Sequence, residues 1–190
     1  MKLSQYVKVI SDKMNAERVE RTMATDECVL DRIEELAAHG YIPSDCIIEP
    51  IRAILSGYGV LLTGKAGAGK TFLMREMGVR IYSATRLAEW GLSKIAGWYE
   101  WWDGKEVCID DIGTEHIVSE YGAKEDIVKQ VISHRCERQE ATTHITTNLN
   151  SAEISARYGD RTLSRMLGMC KPFAIDGENR RTAKPMARAS

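Results

Sequence analysis

The distribution of apolar and polar residues along this chain predicts helices first and then an alternation of strands and helices. In residues 3–24 the apolar positions recur at roughly helical spacing, which predicts a first amphipathic helix with an irregular face. A second helix is predicted from Thr25 or Asp26, which can cap its start, to Gly40, which ends it. Apolar faces of this kind are typical of core packing or of a docking surface.

From residue 44 onward, short apolar runs alternate with longer amphipathic segments. The runs predict strands at residues 59–63, 79–84, 106–111, 142–148 and 173–176. Helices are predicted at residues 44–55, from residue 71 onward, and at residues 85–102, 122–140 and 151–167. Pro50 disturbs the first of these helices or marks its true start, and Gly91 and Gly97 interrupt the third. Strands that alternate with helices predict an α/β fold with a five-stranded parallel sheet flanked by helices.

The most informative stretch is residues 64–71, GKAGAGKT, which fits the phosphate-binding pattern G-x-x-x-x-G-K-[ST] at every specified position. It follows a predicted strand and opens a predicted helix, so that backbone N–H groups would surround one anion. Lys70 is predicted to reach the β- and γ-phosphates of a nucleotide, and the Thr71 hydroxyl to bind Mg²⁺. The predicted ATP or ADP site consists of Gly64, Lys65, Ala66, Gly67, Ala68, Gly69, Lys70, Thr71 and Phe72.

Acidic and amide side chains at the ends of two later strands complete the predicted site. Asp110 is the second expected Mg²⁺ ligand, because ligands of open parallel sheets bind at the carboxyl ends of the strands. Asp111 follows directly and is predicted to act as the general base for a water molecule. Asn148 ends the next strand and can orient that water or sense the γ-phosphate. The plain structural alternatives are an acidic turn and a turn asparagine.

Composition and charge set limits on this interpretation. The chain has 190 residues, of which 44% are hydrophobic and 28% charged, which is typical of one folded domain. A net charge of -1 excludes a uniformly basic nucleic-acid binder but leaves room for a local basic groove. The five scattered cysteines match neither a zinc site nor a disulfide framework, which predicts buried free thiols. Without a signal sequence or a membrane-length apolar stretch, we expect a cytoplasmic protein with no membrane partner.

Four motifs, taken in order, resemble the AAA+ ATPases of the bacterial helicase-loader type (DnaC-like), a group that includes the IstB transposition helpers. They are the loop at residues 64–71, IDDIG at 109–113, ITTNL at 145–149 and YGDRTLSRM at 158–166. The resemblance covers roughly residues 55–181, and its last motif is the most specific to the group. It implies an ATP-driven homo-oligomer that binds single-stranded DNA and helps to place a replicative DNA helicase on it.

The resemblance also implies roles for individual residues. Asp110 and Asp111 take the second acidic motif, and Asn148 takes the first sensor position. Arg161 and Arg165 fall in the segment that offers an arginine to the nucleotide of the neighbouring subunit, with Arg165 slightly preferred because it completes the motif. Asp111 is one methylene shorter than the glutamate of most hydrolysing relatives, which predicts slow hydrolysis. The resemblance implies that this hydrolysis depends on Mg²⁺ and is stimulated by DNA.

The chain departs from the family pattern at both ends. Residues 1–50 are predicted to form a short N-terminal helical region for partner docking, 51–181 the AAA+ core and 182–190 a flexible basic tail. Few residues follow the last predicted strand, so the C-terminal helical lid of the family is expected to be missing. Arg180 and Arg181 are poor substitutes for the sensor arginine that such a lid carries.

Aromatic residues cluster after the second predicted strand. They are Trp90, Trp98, Tyr99, Trp101 and Trp102, interleaved with the basic residues Arg86, Lys94 and Lys105. Such rings can stack on unpaired bases while the basic side chains follow the backbone, and in the resembling family an elaboration at this place faces the DNA channel. The same rings are equally typical of core or subunit-interface anchors.

Two other functions fit parts of the pattern. An IstB-like transposition helper would bind DNA and a transposase and would use ATP as a switch. A small-molecule P-loop kinase would need a phosphate-binding lid and an acceptor pocket, and the paired acids and the arginine motif fit it poorly. Co-purification with a hexameric helicase or with a transposase distinguishes the first two functions, and DNA-stimulated hydrolysis without phosphate transfer to a nucleoside excludes the kinase.

Overall fold

The structure is a computed structural model that describes residues 23–41, 43–116, 118–120, 123–138 and 141–176. Its helices are α1 Asp26–Ala38, α2 Ile48–Leu55, α3 Lys70–Glu76, α4 Ala84–Trp102, α5 Ile127–Arg138, α6 Ser151–Tyr158 and α7 Asp160–Met169, with a 3-10 helix Asp45–Ile47 before α2. Its strands are β1 Gly59–Thr63, β2 Arg80–Ser83, β3 Val107–Ile112, β4 Val118–Glu120, β5 Ala123–Glu125, β6 Thr143–Thr147 and β7 Cys170–Ala174.

Five of the strands form one parallel sheet in the order β2-β3-β6-β1-β7. Leu61 of β1 lies opposite Ile145 of β6 on one side and Pro172 of β7 on the other. Because all five strands run in the same direction, the loops that follow β1, β3 and β6 meet at one edge of the sheet. The predicted fold class, a five-stranded parallel sheet flanked by helices, is confirmed.

Helices cover both faces of the sheet, as the side chains of β1 demonstrate. Successive strand residues point to opposite faces, and Leu61 packs in one hydrophobic cluster while Val60 and Leu62 pack in the other. The first cluster receives α4, α5 and α6 through buried residues such as Leu87, Val131 and Ile154. The second receives α1, α2 and α3 through Leu36, Ile51 and Leu73. Burial of each such side chain contributes about 1.5–3 kcal/mol, which makes the covered sheet the stable centre of the domain.

The second helix of the sequence begins and ends as predicted. The Thr25 side chain accepts a hydrogen bond from the backbone N–H of Cys28, and Gly40 follows the helix with φ 87°. Val29 of α1 packs in the same hydrophobic cluster as Ile51, so the residues on either side of the proposed boundary at residue 50 share a core. Residues 3–22 of the helix predicted at residues 3–24, and the chain from residue 177 onward, which includes the predicted tail, lie outside the described residues.

The structure corrects the sequence prediction in three places. Residues 122–140 were predicted as one helix, but Ala123–Glu125 form β5, which pairs with β4 in a hairpin, and α5 begins at Ile127. Asp126 sets this start, since its carboxylate accepts from the backbone N–H of Lys129. Gly91 (φ 66°, ψ 174°) kinks α4, whereas Gly97 keeps helical angles. The last strand begins at Cys170, earlier than predicted.

The cysteines are all free, and two of them are buried in the sheet. Burial raises the pKa of the Cys170 thiol to about 12 and that of Cys108 well above its ordinary value. Both therefore remain protonated and pack as small apolar groups. Cys28 is exposed, so the expectation of buried thiols fails there.

Within the described residues, no helix combines the length and the apolar composition that a membrane crossing requires.

Candidate active site

The loop between β1 and α3 takes a backbone course that only glycine permits. A Cβ on Gly64 would lie 2.3 Å from the carbonyl oxygen of Ile175, so any side chain there would collide with the chain that leaves β7. Gly69 has φ 99° immediately before the first residue of α3. Both positions therefore require glycine, as a loop that brings its backbone close to a phosphate does.

Lys70 carries the ammonium group of the loop into the interior of the site. Its Nζ donates to the carbonyl oxygens of Gly64 (2.7 Å) and Lys65 (3.0 Å) and to Oδ1 of Asn148 (2.8 Å). The residue is only 6% exposed. The structure thus connects the glycine-rich loop with the residue that follows β6.

Thr71 and Asp110 face each other across the edge of the sheet. The Thr71 hydroxyl is 2.9 Å and 3.2 Å from the two carboxylate oxygens of Asp110. Asp110 is buried and also accepts a 2.6 Å hydrogen bond from the hydroxyl of Thr146 on β6. A hydroxyl and a carboxylate at this separation are hard oxygen donors of the kind that Mg²⁺ prefers.

Asp111 is held in an unusual backbone conformation beside Asn148. Its φ is 60°, and the register between β3 and β6 shifts between Ile109 and Ile112. The N–H of Asp111 donates to Thr146 Oγ1 (2.9 Å), and Asn148 Nδ2 donates to Asp111 Oδ1 (2.9 Å). Asn148 therefore bridges the ammonium of the loop and the second acid.

These groups border one open cavity of about 340 Å³, within the size range of small-ligand sites. The predicted site residues that line it are Ala66, Gly67, Gly69, Lys70, Thr71, Phe72, Asp111 and Asn148. Gly64, Lys65, Ala68 and Asp110 belong to the surrounding loop and strand and do not line the cavity.

Three lining residues, Gly40, Tyr41 and Arg75, were missed by the sequence analysis. The Tyr41 ring stacks on Phe72, with centroids 5.5 Å apart, and extends the cavity wall with aromatic surface. The only sequence signal for Tyr41 is its position beside the helix-ending Gly40, because its partner is far along the chain.

The two arginines of the last motif lie away from the cavity and differ from each other. Arg165 on α7 donates to the Ser133 hydroxyl and to the Glu137 carboxylate (3.0 Å), both on α5. Arg161 is exposed, and no residue in the described part of the chain forms an ion pair with it. Arg165 thus braces α7 within its own chain, and Arg161 is the arginine presented to solvent.

The aromatic segment separates into different environments. Trp102 is 1% exposed, belongs to the sheet core and lies against Tyr82 with ring centroids 4.6 Å apart. Trp90 packs at the edge of the same core, and Tyr99 stacks on the His134 ring at 3.8 Å. Trp102 is therefore a core anchor. The side chains of residues 98 and 101 lie outside the described structure.

Comparison with known proteins places the fold. No protein-family model matches this chain, and no curated protein matches it in sequence. The crystal structure of the DnaC helicase loader matches with a TM-score of 0.51 and 20% identity, over 72% of this chain and 94% of that one. The crystal structure of DnaI gives a TM-score of 0.56 and 17% identity, over 72% and 88%.

A third solved structure, AMPPCP-bound DnaA from Aquifex aeolicus, gives a TM-score of 0.49 and 14% identity, over 75% of this chain and 51% of that one. At such identities a structural likeness concerns the fold. The likeness to the first two structures shows that this chain shares the fold of the DnaC helicase loader and of DnaI.

Proposed function

We propose that this protein is an ATP-binding and ATP-hydrolysing factor of DNA replication that helps to load a replicative helicase onto single-stranded DNA. The observation that carries the proposal is the convergence of Lys70, Thr71, Asp111 and Asn148 on one cavity. A phosphate-binding loop, a metal-binding pair and a polar group beside an acid are the parts that phosphoryl transfer to water requires.

The residues present fit a magnesium nucleotide. The loop amides and the Lys70 ammonium would hold the phosphates, and the stacked Tyr41 and Phe72 rings offer an apolar wall for the base. Thr71 and Asp110 would hold Mg²⁺, since their oxygens already face each other at 2.9 Å. When bound, Mg²⁺ supplies positive charge next to the phosphate oxygens.

Two residues carry the proposed hydrolysis. Asp111 accepts the proton of the attacking water, and the Asn148 amide, which can donate and accept, orients that water. Asn148 already donates to Asp111, so both groups approach the cavity from one side. The short Asp111 side chain limits its reach, and we expect slow turnover that DNA stimulates.

A positive group for the charge that develops on the phosphate is expected from a neighbouring subunit. An arginine in that role is worth about 10³-fold or more in rate. Arg161 is now the first candidate because it is exposed, and Arg165 the second because Glu137 and Ser133 already engage it. The proposal therefore includes a head-to-tail homo-oligomer that forms with ATP.

The shared site is tested by mixing two inactive variants, Arg161→Ala with an intact cavity and Asp111→Asn with an intact arginine. Some interfaces of a mixed oligomer would combine a good cavity with a good arginine, so part of the ATPase rate should return. Arg165→Ala is the matched comparison. Normal hydrolysis by both single arginine variants would overturn the shared site.

The helicase-loader part of the proposal draws on the likeness to the DnaC helicase loader, which is a likeness of fold. The test is capture of the purified protein with ATP and single-stranded DNA by a replicative helicase from the same cell. Helicase capture together with DNA-stimulated phosphate release supports the proposal. Capture of a transposase instead would support the IstB-like alternative, and phosphate transfer to a nucleoside would contradict both.

A further inference from the structure

Glu115 is a buried carboxylate for which the proposed hydrolysis has no role. Its side chain is only 2% exposed. It accepts from the backbone N–H of Gly113 (2.8 Å), from the Tyr158 hydroxyl (2.5 Å) and from Arg157 (3.1 Å). A carboxylate is removed from water at high cost unless it is paired and hydrogen-bonded in this way, so its site is closely specified.

The same group of contacts extends to a third segment. The other arm of Arg157 donates to Asp126 (2.7 Å), whose second oxygen caps α5 through the N–H of Lys129 (3.1 Å). Glu115, Tyr158, Arg157 and Asp126 are called the Glu115 network below. The network joins the turn after β3, the end of α6 and the start of α5.

On one side, the Glu115 network holds the end of β3 and the turn that follows it, residues 111–115, called the Asp111 turn below. Asp111 has φ 60° and Gly113 has φ 96°, both in the left-handed region that residues with a Cβ avoid. The Thr114 hydroxyl closes the turn onto the carbonyl of Asp111 (2.8 Å), and Glu115 fixes the N–H of Gly113. A strained backbone conformation beside a reactive site persists only where contacts with the surrounding structure hold it in place.

On the other side, the network holds the start of the arginine-bearing helix. Tyr158 is buried at the end of α6, and only Gly159 separates it from α7. The carbonyl of Gly159 accepts from the N–H groups of Thr162 and Leu163, so it anchors the first turn of α7, which contains Arg161. Burial and the bond to Glu115 raise the pKa of Tyr158, so its hydroxyl keeps the proton that it donates.

We propose that Glu115 is a positioning residue that locks the Asp111 turn to the start of α7, so that the proposed base and the exposed Arg161 are held as one unit. The inference rests on the proposed function. In this proposal, the buried Glu115 carboxylate couples two parts of one subunit. The first is the cavity of that subunit, and the second is Arg161, which the subunit presents to its neighbour.

The test compares Glu115→Gln with Glu153→Gln, the same change of carboxylate to amide on an exposed residue of α6. Glu153 reaches the backbone N–H of Asn150 in a capping box, a place where glutamine serves as well. We expect Glu115→Gln to lower the hydrolysis rate roughly 10- to 100-fold while ATP affinity changes by less than about twofold, since it displaces the base and leaves the loop intact. Glu153→Gln should match the parent protein.

Hydrogen exchange provides a readout that does not depend on hydrolysis. The amides of Asp111 and Leu163 bond to Thr146 and Gly159 and not to Glu115. In Glu115→Gln both should exchange faster, while amides in β1 stay protected. Tyr158→Phe, which removes one hydroxyl from the network, should reproduce the pattern more weakly.

Three results would overturn the inference. They are unchanged exchange at both amides, faster exchange at the Asp111 amide alone, and a uniform rise over the whole sheet, which indicates general loss of stability. If the parent protein binds ATP but releases no phosphate, the proposed hydrolysis fails, and the exchange pattern still decides whether Glu115 couples the two segments.

Discussion

Two turns meet at the cavity and reach similar backbone conformations by different means. The loop at residues 64–69 obtains its unusual angles from glycines within its own sequence. The Asp111 turn, residues 111–115 at the end of β3, has Asp111 at φ 60° and is held by Thr146 and Asn148, which lie far along the chain, and by its own buried Glu115. The first turn is thus encoded locally, and the second depends on the assembled fold.

The difference has a consequence for function. A locally encoded loop keeps its shape when distant residues change, so phosphate binding should tolerate substitutions elsewhere. A turn that is held by tertiary contacts moves when those contacts change, so hydrolysis should respond to residues that never touch the nucleotide. Binding and hydrolysis are therefore expected to separate in variants.

The largest expected effect lies in the locally encoded loop. Lys70→Ala should abolish ATP binding, because it removes the ammonium that the loop directs into the cavity. Lys129→Ala is the matched control, since it makes the same change on an exposed side chain of α5 that does not line the cavity. Isothermal titration measures both affinities, and urea unfolding checks that Lys70→Ala remains folded. Equal affinities of the two variants would contradict the role of Lys70.

The second prediction concerns the Asp111 turn. Asp111→Asn should keep ATP affinity and lower the rate of phosphate release by about 10²- to 10⁴-fold, because an amide is not a base. Asp111→Gly should show the same loss of rate with an equal or slightly higher free energy of unfolding, since glycine adopts φ 60° without strain. Full hydrolysis by Asp111→Asn would remove the residue from the base role.

Much of the fold and the phosphate-binding loop at residues 64–71 could be predicted from sequence, because both are encoded by residues close together in the chain. Apolar runs are local, so the five strands of the sheet are found where the sequence predicts them, apart from the earlier start of β7. The GKAGAGKT motif is local too, and it forms the loop between β1 and α3, although the nucleotide-binding role of Lys70 and Thr71 stays a prediction. The capped start of α1 at Thr25 is local in the same sense. The hairpin of β4 and β5 was missed, because its strands have three residues each and pair with each other and not with the five-stranded sheet.

The parts that could not be predicted depend on contacts between distant residues. Tyr41 lines the cavity by stacking on Phe72, and Trp102 proves to be core through Tyr82. The bond that fixes the backbone of Asp111 comes from Thr146, 35 residues later in the chain. The spacing of residues within one segment cannot predict a contact with a residue that is distant in the chain.

The third prediction tests that long-range bond directly. Thr146→Val removes a buried hydroxyl that donates to Asp110 and accepts from the N–H of Asp111. It should lower the free energy of unfolding by about 1–3 kcal/mol, because both partners stay buried or half-buried without a replacement. Thr63→Val, at the end of β1, loses only a 3.4 Å contact to the carbonyl of Phe173 and should change stability by less than about 0.5 kcal/mol.

Urea unfolding compares the two threonine variants, and phosphate release compares their rates. If the conformation of Asp111 depends on its bond to Thr146, then Thr146→Val should slow hydrolysis more than Thr63→Val does. Equal losses in both variants would mean that the Asp111 turn holds its conformation without β6.

The smallest effect is expected at the opposite end of the same pair of strands. Glu106 precedes β3 and accepts a 2.8 Å hydrogen bond from His144 of β6, which lowers the pKa of the Glu106 carboxyl despite partial burial. A lowered pKa means that this bond stabilises the fold above the ordinary glutamate pKa of about 4.3, and that the contribution disappears as the pH falls through the folded value. Because Glu106 is half exposed, solvent screening limits the contribution to less than about 1 kcal/mol.

Glu106→Gln should therefore flatten the acid side of the stability profile, measured by urea unfolding between pH 3 and 7, and leave phosphate release at pH 7 unchanged. If Glu106→Gln slows hydrolysis as much as Thr146→Val does, then a contact at either end of the β3–β6 pair affects the conformation of Asp111. The expected difference between the Glu106 end and the Thr146 end would then be wrong.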